Sequence, residues 1–468
     1  MKVKLPKFVR YILKTVADSG HTIYIVGGVT RDILMKRESN DWDFTTDATP
    51  EIITALFENS FYDNKFGTVG IINLGDKQNE FIKPEVFEIT TFRKDIGYSD
   101  RRHPDKIEWG KSLEDDLIRR DFTMNAIAFK PNPVNQPLNK EYWELEIIDP
   151  YNGQNDIQNN IIRAVGNPDE RFREDALRMM RAVRFSTQLG FTIEPKTFQA
   201  IQKKINLIEK ISGERIRDEL LKLLSYPQAA NGYRLLHESG LAKKILPEVE
   251  QGYGVEQKSP GRHHIYDVWT HSIMSLQFCP SKDPIVRLAV LIHDIGKPLT
   301  VNKEQNGTIT FYNHEIVGEY LAKNIARRLR LSRNEQDRLV KLVRWHQFSV
   351  DERQTDKAIR RFIRNVGLEN LADILTVRTA DRLGGGARET SWRLESFKNK
   401  LVEVQKQPFS VTDLKINGNE VMKILNIKPG PMIGEILNQL FEEVEENQEL
   451  NTEKYLENRI KKFIQTKQ

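Results

Sequence analysis

The apolar positions of the chain follow two periods, one after the other. In residues 4–19 (KLPKFVRYILKTVADS), Phe8, Ile12, Leu13 and Val16 recur at helical spacing and Gly20 stops the pattern. The apolar run Thr22–Val26 reads as a strand that ends on the glycines of GGVTRD. A short helix is predicted over Ile33–Lys36, then strands around Asp41–Thr46, Val69–Leu74 and Val86–Phe92, separated by turn-rich stretches. Residues 1–150 therefore read as a small mixed sheet with helices. Beyond Asp149-Pro150 the period becomes helical and glycines are scarce from Asp169 to Leu224, so 151–225 is predicted to be all-helical. Residues 226–260 link it to a second helical region, 261–390, which the Gly384-Gly385-Gly386 run closes. A last helical section, 391–468, carries the turn Pro429-Gly430-Pro431 and the acidic stretch FEEVEENQE. The predicted class is α+β, a mixed-sheet head followed by all-α segments.

Length and charge narrow the picture further. At 468 residues the chain holds roughly three domains of ~150 residues. Lys plus Arg is 71 against Asp plus Glu 66, a net +5 that is compatible with a basic face for nucleic acid without demanding one. The single cysteine, Cys279, excludes an intrachain disulfide and a Cys-rich zinc module. The first thirty residues show no apolar secretory core, and no window nears the ~18 apolar residues of a membrane helix. A reducing cytoplasm, no membrane and no obligate protein partner are the expectations.

Three constellations carry chemistry. Asp41 and Asp43, two apart on a strand, project to one side while Trp42 and Phe44 project to the other. A carboxylate pair of this kind suits one or two Mg²⁺ ions, although a bare Asp-x-Asp is also a common solvated strand face. The preceding GGVTRD changes the balance, because the glycine pair (Gly27, Gly28) after a buried strand lets backbone N–H groups approach a phosphate and Arg31 adds a cation. In EDALRMMRAVRF, Asp175 and Arg178 are three apart on a predicted helix, with Arg181 and Arg184 further round. Cytosine and adenine both present an amino donor beside a ring-nitrogen acceptor, which a carboxylate beside a guanidinium matches, whereas guanine and uracil present the reverse. A plain surface ion pair is the alternative. The third set is His271, His293, Asp294, His314, His346 and Asp381, in which a buried His-Asp needs a metal or a partner and six N and O ligands suffice for two divalent ions.

The segment GGVTRDILMKRESNDWDFTTDATPE resembles the signature of the nucleotidyltransferase superfamily, in the branch shared by class II tRNA nucleotidyltransferases and bacterial poly(A) polymerases. RKDIGYSDRRHPDKIEW is similar to that family's flexible loop, and LEDDLIRRDFTMNAIAF to its next motif. Arg119 and Arg120 are paired cations able to face a triphosphate, and the resemblance favours Arg120 for nucleotide contact. Asp121 is either a third carboxylate near the metal or half of a buried ion pair. Matching the family's EDxxR element, Asp175 and Arg178 are implied to pair with the incoming base, with Arg181 and Arg184 assisting with phosphates or bracing the helix. SGERIRDELLKLL resembles the following motif and reads as structural, with Ser212 as N-cap and Glu214 and Arg217 as bracing residues. The H…HD…D pattern resembles the HD phosphohydrolase superfamily, with Lys297 near a phosphate and Mg²⁺ or a divalent transition metal as cofactor. VTDLKINGNEVMKILNIKPGPMIGEILNQL is similar to the C-terminal segment of CCA-adding enzymes that carry HD domains.

These resemblances imply tRNA, CTP and ATP as partners and Mg²⁺-dependent addition of CCA. They divide the chain into a catalytic head (1–150), a base-selecting neck (151–225), a linker body (226–260), an HD domain (261–390) and a tRNA-binding tail (391–468). An A-adding specialist, a poly(A) polymerase and a phosphohydrolase of 2′,3′-cyclic or terminal phosphates are the rival readings. Presence of the Arg93–Trp109 loop favours competence for the final A. The basic runs at Arg327, Arg328 and Arg330 and at Arg360, Arg361 and Arg364 read as solvated helix faces before they read as an RNA path.

Overall fold

The computed structural model describes residues 1–39, 41–62, 67–74, 85–96, 106–109, 112–133, 136–257, 266–348, 355–405 and 411–465. The chain divides into two compact units, one made of residues 1–253, 282–284 and 324–332, the other of residues 254–281, 285–323 and 333–468.

The first 150 residues of the first unit carry ten described strands: β1 (Lys2–Lys4), β2 (Ile23–Val26), β3 (Asp43–Thr46), β4 (Ser60–Tyr62), β5 (Thr68–Asn73), β6 (Glu85–Thr91), β7 (Arg93–Ile96), β8 (Lys106–Trp109), β9 (Ala128–Pro131) and β10 (Tyr142–Ile148). Eight of them form one sheet in the order β1-β10-β9-β2-β3-β6-β5-β4, and β7 and β8 pair with each other. The sheet is mixed as predicted, since β3 runs parallel to β6 while β2 and β3 are antiparallel. Every residue of β2 is buried, which is why it reads as a continuous apolar run rather than an alternation. The helix Lys7–Asp18 turns Val9, Ile12, Leu13 and Val16 inward, and Phe8 packs on Phe87.

Two local expectations shift. The helix after GGVTRD covers Gly28–Leu34 rather than Ile33–Lys36, because Gly27 (φ +87°) breaks the strand and the helix begins at the next residue. Asp175 lies between two helices, Pro168–Glu174 and Leu177–Leu189, not on one. Its Oδ1 accepts the Leu177 N–H at 3.0 Å, the side-chain-to-backbone bond that makes Asp a helix-end residue.

Helices supply most of the rest, but two short strand pairs interrupt the regions predicted to be all-helical: Ile161–Ile162 runs parallel to Thr192–Ile193, and Asn302–Lys303 antiparallel to Ile309–Thr310. The helix Gly213–Ser225 packs on Leu177–Leu189 in the first unit. In the second unit, Val268–Gln277 packs on Leu371–Gly384, and Leu440, Phe441, Leu456 and Ile460 help close a separate C-terminal core. Gly430 caps the helix Pro431–Glu446 without a side-chain cap. Arg361 and Arg364 are exposed as expected of a solvated face, Arg364 lying over the Phe441 ring, but Arg360 of the same run is buried. Residues 97–105 of the predicted flexible loop lie outside the described residues. No described helix is long and apolar enough to cross a membrane.

Candidate active site

A cavity of about 630 Å³ in the first unit gathers the head and neck motifs. Eight cationic and five acidic side chains line it, among them Asp41, Asp43, Arg31, Arg120, Asp175, Arg178, Arg181 and Arg184, together with Gly28. This excess of positive charge is what a triphosphate needs.

The acidic corner lies at the start of β3. Trp42 and Phe44 are buried, while Asp41 and Asp43 both face the cavity, as strand alternation predicts. Burial pushes the Asp43 carboxyl up to about 7, and the charges of Asp41 and Glu88 add to the rise while Arg120 opposes it. Glu88 sits beside Asp43 across the parallel β3–β6 pairing and was not singled out from sequence. Its signal was only a carboxylate on a strand whose pairing partner the sequence does not declare. The mutual repulsion of Asp41, Asp43 and Glu88, which Arg120 opposes, makes this corner a fitting seat for a divalent cation. Gly27 opposes Asp43 as well, for a Cβ there would meet Asp43 Oδ2 at 2.5 Å. Gly27, more than Gly28, is thus the position that only glycine can hold.

The arginines are engaged with protein partners. Arg31 is buried, donating to Asp32 (2.8 and 2.9 Å) and to Asn125 Oδ1 (3.0 Å). Asp121 takes the ion-pair role: Arg181 Nε donates to its Oδ2 at 2.7 Å, and Phe122 N–H and Asn125 Nδ2 donate to Oδ1. Burial alone would raise the Asp121 carboxyl, but Arg181 and Asn125 bring it down to about 2. Arg184 donates to Glu219 (2.6 Å) and Gln188 (3.0 Å) and lies 4.0 Å over the Phe185 ring. Arg181 and Arg184 therefore brace the helix.

Asp175 and Arg178 do not pair with each other as the predicted helical spacing suggested. Asp175 accepts from Arg215 (2.7 and 3.3 Å), while Arg178 donates to Glu174 (2.7 Å), the Arg171 carbonyl (3.3 Å) and the Arg119 carbonyl (2.7 Å). Arg215, from the segment read as structural, therefore lines the cavity. Ser212 is at the N-cap of its helix but makes no side-chain cap bond, and Arg217 binds Asp218 and the Arg330 carbonyl rather than Glu214.

A second cluster lies in the other unit. His271, His293 and Asp381 form one group of potential ligands and Asp294, His314 and His346 another, the ligand atoms of each lying within 4.8 Å of one another. His293-Asp294 follows the apolar helix Pro284–Ile292 instead of lying inside it. Asp294 stands between the groups. Its Oδ2 is 3.2 Å from His293 Nε2 and 3.6 Å from His271 Nε2, and its Oδ1 is 3.4 and 3.5 Å from the Nε2 atoms of His314 and His346. The Nδ1–H groups of His293, His314 and His346 donate to the carbonyls of Val290, Phe311 and Val343 at 2.7 to 2.8 Å, which aims their Nε2 atoms inward. The Nε2 atoms of His314 and His346 face each other at 3.3 Å, a contact that needs a shared proton or cation. Burial opposes ionisation of His293 but Asp294 raises it; burial of Asp294 is outweighed by His293 and Lys297, which hold its carboxyl well below the usual range. Lys297 Nζ is 2.6 Å from Asp294 Oδ2 and donates to Gln257 Oε1 at 2.6 Å. His263 and His264 lie outside the described residues.

Mixed sheet, acidic strand start and arginine-lined cavity together define a nucleotidyltransferase. Residues 23–163 match the Poly A polymerase head domain, and residues 302–460 match the domain described as tRNA nucleotidyltransferase domain 2. The chain is 31% identical to a CCA-adding enzyme of Ligilactobacillus salivarius over 97% of its length and 96% of that protein's. It is 35% identical to an A-adding tRNA nucleotidyltransferase of Deinococcus radiodurans over 71% of its length and 75% of that protein's. It spans about half of the Lactobacillus helveticus CCA-adding enzyme, matching 54% of that relative and 50% of itself at 42% identity. The crystal structure of the Bacillus stearothermophilus CCA-adding enzyme in complex with CTP is similar with a TM-score of 0.69 and 28% identity, covering 99% of both chains. The chain belongs to the CCA-adding enzyme family of tRNA nucleotidyltransferases, enzymes that use a divalent metal.

Proposed function

We propose that this protein adds CCA to tRNA 3′ ends from CTP and ATP without a nucleic-acid template. The observation that carries the reading is the single cavity in which Asp41 and Asp43 meet Asp175 and Arg178. The tRNA 3′-hydroxyl attacks the α-phosphate, the α–β bond breaks and pyrophosphate leaves. Asp41 and Asp43, with Glu88 beside them, would hold Mg²⁺, which when bound supplies charge neutralisation at the reacting phosphate. Arg119 and Arg120 face the triphosphate, and Asp175 and Arg178 present an acceptor and a donor to the edge that cytosine and adenine share. Arg178 spends some of its five donors on Glu174, Arg171 and Arg119, so its plane is fixed before the base arrives.

On this reading residues 1–150 are the catalytic head, 151–225 the neck, 226–260 the body, 261–390 an HD-type domain and 391–468 the tRNA-binding tail, and the buried lone thiol of Cys279 suits a reducing cytoplasm. The paired ligand groups around Asp294 favour a second activity, phosphohydrolysis of 2′,3′-cyclic or terminal phosphates. Their neutral Nε2 donors and carboxylates would hold Mg²⁺ or a divalent transition metal, which when bound supplies an activated water. Asp41→Ala is expected to abolish nucleotide addition and leave phosphohydrolysis intact, and His293→Ala to do the opposite. Loss of both activities from either change in a folded protein would refute two independent sites.

A further inference from the structure

The mechanism so far leaves unused a buried carboxylate directly behind the two arginines that face the triphosphate. Asp116 is on the helix Leu113–Ile118 and its side chain is 0% exposed. Its two oxygens serve different guanidinium groups: Arg119 Nε and Nη2 donate to Oδ1, and Arg120 Nη2 donates to Oδ2 at 3.0 Å. Both arginines follow the last helical residue, at i+3 and i+4 from Asp116, so both side chains fold back over one turn. Two adjacent cations would otherwise repel, and a shared anion between them offsets that repulsion at the cavity wall. Arg120 Nη1 also reaches the Asn125 carbonyl at 3.4 Å, and Arg120 Nε is buried with no acceptor among the described residues. Two of the five Arg120 N–H donors, one on each terminal nitrogen, are thus left for a ligand. The same helix end is tied to the neck, for the Ile118 and Arg119 carbonyls accept from Arg171 (2.8 Å) and Arg178 (2.7 Å).

We propose that Asp116 is a positioning residue that locks Arg119 and Arg120 into one two-cation clamp for the triphosphate. The proposal rests on the reading that this cavity takes a nucleoside triphosphate. Asp116 touches no substrate. Its part is to present the clamp with the correct spacing, and its effect should scale with the number of phosphates.

The test compares wild type, Asp116→Asn, Arg120→Gln and the double variant, measuring kcat and KM for CTP and ATP on CC-lacking and A-lacking tRNA, and binding of CTP and CMP. Asp116→Asn is expected to raise KM for both nucleotides about tenfold or more and to weaken CTP binding by the same factor. CMP binding and kcat at saturation should change by less than about threefold. In the double variant the two losses should be markedly less than multiplicative, because both act on one clamp. Equal loss of CMP and CTP binding, a fall in kcat with KM unchanged, or multiplicative losses would overturn the clamp. If Asp116→Asn is unstable, the same comparison on Asp116→Glu decides: CTP affinity weakened with CMP affinity kept supports the clamp, and wild-type CTP affinity overturns it. A wild-type protein that binds no CTP would instead overturn the reading on which the clamp rests.

Discussion

Gly27→Ala puts the geometry of the acidic corner under direct strain. Gly27 has φ +87° and ψ −149°, a conformation essentially restricted to glycine, so alanine there costs roughly 1–3 kcal/mol of backbone strain. The new methyl would stand 2.5 Å from Asp43 Oδ2, well inside contact distance. Val26 and Asp43 are paired across β2 and β3, so relief comes from rotating the carboxylate or from parting the strands, and either moves it by about 1 Å. A misplacement of that size costs about 10²-fold in rate. The strain corresponds to a fall of roughly 2–12 °C in the melting temperature for a unit of this size. Single-nucleotide-resolved extension of tRNA with labelled CTP, beside thermal melting followed by circular dichroism, reads both quantities. Gly28→Ala is the comparison, since Gly28 has ordinary helical geometry and its Cβ would meet only the end of the Arg31 side chain at 3.4 Å. Its loss is expected to be at least about tenfold smaller. A folded Gly27→Ala protein with wild-type kcat/KM would refute the argument.

Arg178→Ala should relax discrimination against UTP and GTP more than it weakens tRNA binding, and unchanged discrimination in misincorporation assays would count against base reading by this residue. Arg215→Ala should also shift nucleotide choice, because Asp175 loses the guanidinium that orients it; competition between CTP and UTP measures this. Asp121→Asn should destabilise the protein by roughly 2 kcal/mol near neutral pH. The native carboxyl titrates at about 2, below its unfolded value, so this stability is present above about pH 4 and fades as pH falls toward 2. Melting curves of the two proteins should accordingly converge with acid, and a difference independent of pH would contradict the ion pair. Divalent ions added to chelator-stripped protein should raise the melting temperature of the second unit, with His346→Ala abolishing the rise; an equal rise in the variant would reject the histidine cluster as a metal site.

Much of the site was legible because its chemistry depends on short spacings. Asp41 and Asp43 alternate with Trp42 and Phe44 where the chain enters β3 at Asp43, and two residues of separation in extended chain suffice to predict a shared face. The His-Asp element, flanked by apolar residues, advertised a burial cost that only a partner could offset. The helix–strand–glycine opening was equally plain, because β2 is apolar throughout. What was hidden depends on tertiary pairing. Glu88 reaches Asp43 only through the parallel β3–β6 register, and Arg215 reaches Asp175 across 40 residues. Asp175 and Arg178 looked like a helical pair because spacing alone does not reveal that Asp175 caps the helix start instead of joining it. Arg360, one of a run that looked solvated, is buried because the apolar stripe of its helix is wider than the charge pattern suggested.

The most direct measurement of the central claim is incubation of purified protein and Mg²⁺ with three tRNA transcripts, ending at the discriminator base, at C and at CC. Each is supplied with labelled CTP, ATP or both, and the products are resolved at single-nucleotide length. The account predicts addition that completes CCA on all three transcripts and then stops. Addition of A alone to the CC-ended transcript, a long ladder of A, or no addition at all would contradict it.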